Sequence, residues 1–185
     1  PRFANRHLTN SFQDPPLMPA FLCAELCRLA GIPSPRVTHA RVILNKRDLG
    51  LYVLKEGFDK SFLRLNFQDA TGNLYDGGFL RDITEDLQKT SGLNPNDRSD
   101  LKALAAAATE PDMGKRLDRL GKVLDLDRFI RFIALDAMLW NWDGYAMKKN
   151  NYRLYHDPST GRITFLTTGM NRIFWEPGGP FAPVF

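Results

Sequence analysis

The sequence predicts an α+β fold, and three observations carry that reading. An apolar, cappable helix near the N-terminus runs directly into a β-hairpin. A second, strongly apolar helix occupies residues 126–140. A second hairpin follows it, folded about the turn Asp157-Pro158-Ser159-Thr160-Gly161. The 185 residues are 43% hydrophobic and 25% charged, a globular balance for one domain or a large piece of one. The net charge of +4 is spread in short groups such as Lys148-Lys149, which read as solvated surface rather than a nucleic-acid face. A phosphate-rich ligand remains compatible with that bias. No apolar run approaches the length of a membrane span. Pro1 to Asn5 carries neither an initiator Met nor a signal peptide, and the Pro/Gly-rich Glu176 to Pro180 ends no recognisable element. Both ends read as cut from a longer protein, so the compartment stays open.

Taken in order, residues 1–14 read as irregular and polar. Asp14-Pro15-Pro16 has the chemistry of a helix start, a capping carboxylate followed by prolines that need no N–H partner. The helix runs to Ala30, where Gly31 suits a left-handed cap and Pro33 and Pro35 forbid continuation. Its two cysteines, Cys23 and Cys27, share a face at a spacing of four and read as small core hydrophobes. With no further Cys or His nearby they make a poor zinc site, and they form no disulfide framework. Strands are expected at Val37–Leu44 and Leu51–Leu54, joined by the turn Asn45-Lys46-Arg47-Asp48. Asp59 can cap a short helix over 60–67, and Asn73-Leu74-Tyr75 is extended. Residues 79–124 read as mostly helical, with helices over 98–109 and 113–124. The helix 126–140 is apolar on nearly every side and so belongs at a domain centre, which obliges its Asp136 to be bonded to backbone or to an Arg. Residues 141–151 form a loop, followed by strands 152–156 and 163–166. The histidines His7, His39 and His156 show no metal-ligand spacing.

The loop is where chemistry concentrates. Phosphoryl transfer from ATP needs a carboxylate to orient the attacking hydroxyl and oxygen ligands for Mg²⁺ beside the phosphates. A buried helix, a loop carrying Asp143 and then Asn151, and a hairpin stand in the order that protein kinases use. An Asp-Gly turn followed by Asn is commonplace, and the spacing alone does not specify that reading.

Three longer stretches add to it. Leu139-Trp140-Asn141-Trp142-Asp143-Gly144-Tyr145 with Asn150-Asn151-Tyr152-Arg153-Leu154-Tyr155-His156-Asp157-Pro158 closely resembles the signature of the CotH (spore-coat protein H) kinase family. Asp14 to Met18, continuing through Ala30 to Arg36, resembles a second motif. Ala40 to Asn45, then Leu49 to Glu56, resembles a third. The motifs stand in the family's order and cover most of residues 5–175, with 79–124 matching least. The resemblance implies a divergent, atypical protein-kinase-like fold that transfers the ATP γ-phosphate to protein Ser or Thr. It implies an N-lobe remainder at 1–58 and a C-lobe portion at 59–185 with the catalytic-loop-like segment 141–151. It assigns Asp143 as the catalytic carboxylate, Asn151 as a Mg²⁺ (or Mn²⁺) ligand with Asn150 as a second choice, Glu56 to the hinge against adenine, and Glu25 to the pairing of an ATP-binding Lys. The residue-level alternative for Glu25 is an ordinary exposed helix Glu.

Two departures weigh against a complete enzyme. The strands that should precede the helix, with their phosphate loop and Lys, are expected to be missing, since residues 1–14 hold neither Gly nor Lys. The metal-binding Asp expected after the second hairpin has no counterpart in Thr167 to Arg172, where Asn171 offers a neutral oxygen. Productive ATP and metal binding is therefore expected for the complete domain only. The competing readings are a pseudokinase or assembly module of the same fold, and an adhesin-like surface module. The expected partner is a protein substrate or a coat or surface component, with no nucleic acid, and the family suggests the bacterial cell envelope, the spore coat or secretion.

Overall fold

A computed structural model describes residues 5–11, 17–168 and 173. The order is β1 (Arg6–Thr9), α1 (Pro19–Leu29), β2 (Val37–Leu44), β3 (Arg47–Glu56), α2 (Lys60–Asn66), β4 (Asn73–Asp76), β5 (Gln88–Ser91), α3 (Ser99–Ala108), α4 (Met113–Val123), α5 (Leu126–Met138), α6 (Tyr145–Lys148), β6 (Tyr152–Asp157) and β7 (Arg162–Thr167). Helices and strands mix in two antiparallel sheets, ordered β1-β3-β2 and β5-β4-β6-β7.

The four-stranded sheet positions everything else, because three of its strands bury side chains on both faces. Tyr75, Tyr152, Leu154, Ile163 and Phe165 enter one cluster with α5 residues Phe132 and Leu135 and with Cys23, Cys27 and Ile32. Their alternate neighbours Leu74, Tyr155 and Leu166 enter a second cluster with Phe62, Leu63 and Phe67 of α2 and its C-terminus. The pleat sends successive side chains to opposite faces, so these short strands tie two cores together. Both cysteines are core hydrophobes, as expected, with sulfurs 3.8 Å apart. Burial and the bond to Cys27 push the Cys23 thiol up, away from thiolate chemistry, the bond being the larger cause.

Several expectations are corrected. Arg6–Thr9, read as irregular and followed by no strand ahead of the helix, form β1 and pair with Val53–Glu56. That pairing gives the edge of β3 hydrogen-bond partners that a polar loop would not supply. The expected cap and prolines at 14–16 lie outside the described residues. The described helix α1 begins at Pro19, whose missing N–H suits the first turn. The first hairpin turns on two residues rather than four, with Asn45 and Lys46 both at positive φ (51° and 66°), so β3 starts at Arg47. Residues 79–98 are not helical. Asp82 and Glu85 hydrogen-bond their own backbone neighbourhood, and Gln88–Ser91 pairs with β4 instead. Helix α5 stops at Met138 and rests on the sheet with one side open, since Ile130 is 58% and Met138 78% exposed. Segment 141–151 contains the one-turn helix α6.

Gly31 does cap α1. Its φ is +69°, the Ile32 N–H reaches the Cys27 carbonyl and the Gly31 N–H reaches that of Arg28. An added Cβ would also stand 3.1 Å from the Arg131 guanidinium. Gly31→Ala should lower unfolding stability by about 1–2 kcal/mol, the cost of a side chain in the left-handed region. Urea denaturation at fixed pH would measure it.

Candidate functional site

The site begins where α5 ends. Trp140 takes a left-handed conformation (φ 49°), with the Asn141 N–H bonded to the Asp136 carbonyl and the Trp140 N–H to that of Ala137. This places a bulky residue where glycine is usual, and the surrounding bonds have to hold it. Asp136 is the anchor. It is 3% exposed, accepts the Asn141 side-chain amide at 2.6 Å and accepts the Ala146 N–H at 3.3 Å. Burial raises its pKa, and these two bonds pull the other way. The expected backbone bond is present, and the partner beside it is an amide rather than an Arg. Gly144 sits against the pair, where an added Cβ would overlap the Asp136 carboxylate and the Asn141 amide.

Asp143 lies on the turn this anchor creates. The Asn150 Nδ2 donates to its Oδ1 at 3.0 Å, and the Asn151 Nδ2 donates to its Oδ2 and to its carbonyl, both at 2.9 Å. The two amides bracket the carboxylate and fix its direction. Asn151 is left-handed (φ 52°), and its carbonyl accepts the Thr168 N–H, which ties the loop to the end of β7. With Nδ2 engaged, the Oδ1 of Asn151 is the atom of that amide suited to a hard cation.

A second anchor escaped the sequence reading. Asp82 accepts the Tyr145 hydroxyl at 3.0 Å and the Lys149 ammonium at 2.7 Å, clamping both ends of α6. Burial opposes its ionisation, but the bonds from Lys149, Ile83 and Tyr145 hold its pKa below the ordinary value. Nothing near Asp82 in the chain announces this, because Tyr145 and Lys149 lie more than sixty residues away. Tyr145 also joins Phe129, Phe132, Tyr152 and Phe165 in one aromatic group beneath the loop.

The structure brings Asp143, Asn150 and Asn151 together. The other two candidates described are engaged elsewhere. Glu25 pairs with Arg28 one turn along α1, at 2.8 Å. Glu56 holds Arg36 through both carboxylate oxygens, at 2.6 and 3.0 Å. Among the described residues no hydrogen bond or ion pair joins either to the loop. Asn171 lies outside the described residues. Between α1, β2, β3 and the end of β7 runs an open cleft lined by Cys23, Ser34, Val37, Lys55, Thr167 and Thr168 among others. Burial lowers the pKa of Lys55, with a smaller opposing influence from Cys23.

The family model described as "CotH kinase protein" matches residues 2–177. The chain belongs to this CotH family. CotH relatives include "Spore coat protein homolog 1" of Rhizopus delemar, 25% identical over 84% of this chain and 27% of its own length. "Invasin CotH3" of the same fungus is 25% identical over 85% of this chain and 29% of its own length. "Inner spore coat protein H" of Bacillus subtilis is 25% identical over 84% of this chain and 46% of its own length. The chain thus spans between a quarter and a half of the length of these curated CotH relatives. Among the described residues no helix is long and apolar enough to cross a membrane, and no three His, Cys, Asp or Glu side chains converge on a metal-sized site.

Two measurements test the anchor. Gly144→Ala should destabilise the protein by about 1–3 kcal/mol, as overpacking against buried groups does, and urea unfolding would read it. Asp136 has a folded pKa above its unfolded value, so its stabilising contribution is complete below the unfolded pKa and is lost as pH rises through the folded one. Asp136→Asn should therefore gain on the wild type as pH is raised from about 4, the ordinary Asp value, toward neutrality. A constant difference in unfolding midpoint across that range would contradict it.

Proposed function

We propose that the protein carrying this chain is a divergent kinase-like phosphotransferase acting on protein Ser or Thr, with 1–58 and 59–185 as the two parts between which ATP binds. The observation that supports this most is the Asp143 carboxylate held between the Asn150 and Asn151 amides, directly after a helix seated on the sheet. In the transfer, the substrate hydroxyl oxygen forms a bond to the γ-phosphorus and the bond from that phosphorus to the ADP oxygen breaks. Asp143 orients the hydroxyl and accepts its proton. Asn151 would hold Mg²⁺ or Mn²⁺ through Oδ1, with Asn150 and Asn171 as further amide ligands. The cation, when bound, offsets phosphate charge. Oxygen-only amide donors suit such hard ions, but more weakly than a carboxylate would.

That weakness supports a second reading, a pseudokinase or coat-assembly module of the same fold. Thr167 to Arg172 contains no Asp or Glu. Under either reading the names of the relatives favour work at a spore coat or cell surface, on or beside other coat proteins.

Transfer from labelled ATP with Mg²⁺ or Mn²⁺ should be measured for the full-length protein, for Asp143→Ala and for Asn171→Asp. The kinase reading expects activity that falls by about 10²-fold or more in Asp143→Ala, as loss of a positioned base does. A silent wild type with activity gained in Asn171→Asp would move the assignment to a metal-site pseudokinase. Silence in all three would leave the binding module.

A further inference from the structure

We infer that Lys55 is a phosphate-binding residue, its ammonium facing a phosphate group in the cleft between α1 and the end of β7. The identity of that phosphate as part of a nucleotide rests on the kinase reading above, whereas the anion site itself does not.

Strand β3 alternates, so Lys55 shares a face with Val53, which is fully buried. Its cross-strand partners are His7 of β1 and Val37 of β2, and Val37 lines the same cleft. A lysine on the inward face of a strand is costly unless its charge is met. The other charged groups nearby are spoken for. Glu56, the next residue, is held by Arg36, and Glu25 by Arg28. Among the described residues no carboxylate lies within ion-pair distance of the Lys55 ammonium, and the cleft offers only neutral groups, the hydroxyls of Ser34, Thr167 and Thr168 and the Cys23 thiol. Burial accordingly depresses the Lys55 pKa, and a bound anion would restore it. A cation beside hydroxyl groups, with no carboxylate among the described residues lining the cleft, suits an anion.

The position of the cleft ties it to the candidate chemistry. Thr168, on its wall, donates its N–H to the Asn151 carbonyl, and Asn151 donates to Asp143. The cleft that Lys55 lines is thereby joined to Asp143 through the Thr168–Asn151 and Asn151–Asp143 hydrogen bonds. Under the kinase reading, Lys55 would supply a phosphate-facing cation in the cleft that Thr168 also lines.

The test is calorimetric binding of inorganic phosphate, ADP and ATP, each with and without Mg²⁺, to the wild type, Lys55→Met and Lys55→Arg. Lys55→Met keeps the apolar stem and removes the charge. Affinity should fall roughly ten- to a hundredfold in Lys55→Met, the range for a hydrogen bond to a charged group, and recover in part in Lys55→Arg, with the ligand-free unfolding midpoint of Lys55→Met no lower than that of the wild type. Loss confined to the nucleotides assigns the phosphate to a nucleotide. Loss of inorganic phosphate binding, in a protein that ignores nucleotides, keeps the anion site and removes the kinase reading. Nucleotide binding equal in wild type and Lys55→Met overturns the inference and leaves the kinase reading standing. No binding of any ligand overturns both. Should Lys55→Met fail to fold, protection of Lys55 from acylation by the same ligands, mapped by mass spectrometry on the wild type, gives the reading without a substitution. Unprotected Lys55 there rejects the inference.

Discussion

A buried carboxylate has to be surrounded, and the loop that carries the candidate chemistry is built from what surrounds Asp136. Its oxygens take the Asn141 amide and the Ala146 N–H, and the space beside them admits no side chain at Gly144. Those contacts bend the chain out of α5 and start α6. Asp143 is carried on that bend, between the residues Asp136 holds. The network is local in sequence yet needs the sheet beneath it, because the helix end would otherwise face water and the carboxylate would have no reason to gather its neighbours.

The sheet explains why the loop stays in place. Strands β4, β6 and β7 bury alternate residues in two clusters, so neither face can slide without opening a core. Tyr152 and Phe165 project from it into the ring group that receives Tyr145 of α6. Asp82 then fastens both Tyr145 and Lys149 from a segment far away in the chain. The loop is held at its start by Asp136, in its middle by Asp82 and the rings, and at its end by the Asn151–Thr168 bond. A carboxylate fixed in direction by three such ties is a better candidate for orienting a reactant than one on a free loop.

The three-stranded sheet is different in kind. Val53 is its one fully buried described side chain, whereas Leu8, Ile43, Leu44 and Leu51 are more than half exposed. Its contribution to the site comes from one end, where β3 delivers Lys55 to the cleft beside α1. The same alternation that buries Val53 turns the lysine inward.

What the sequence determined by itself was local. The Schellman-type end of α1 at Gly31, the Asp59 cap of α2, the Asp157 turn and the helices 99–108 and 113–123 each depend on residues within about one turn of one another. The choice of Asp143, Asn150 and Asn151 came from the resemblance to the CotH family rather than from their spacing, and the bonded Asp136 followed from the apolar helix around it. Tertiary structure decided the rest. Only pairing with β3 makes a strand of Arg6–Thr9, and only pairing with β4 makes one of Gln88–Ser91 against a helical composition. The partner of Glu56 depended on which arginine it met, and the clamp at Asp82 on chain segments brought together from a distance. Lys55 falls between the two. Its inward face is written in the alternation of β3, but the cleft it faces exists only once α1 and the end of β7 have closed around it.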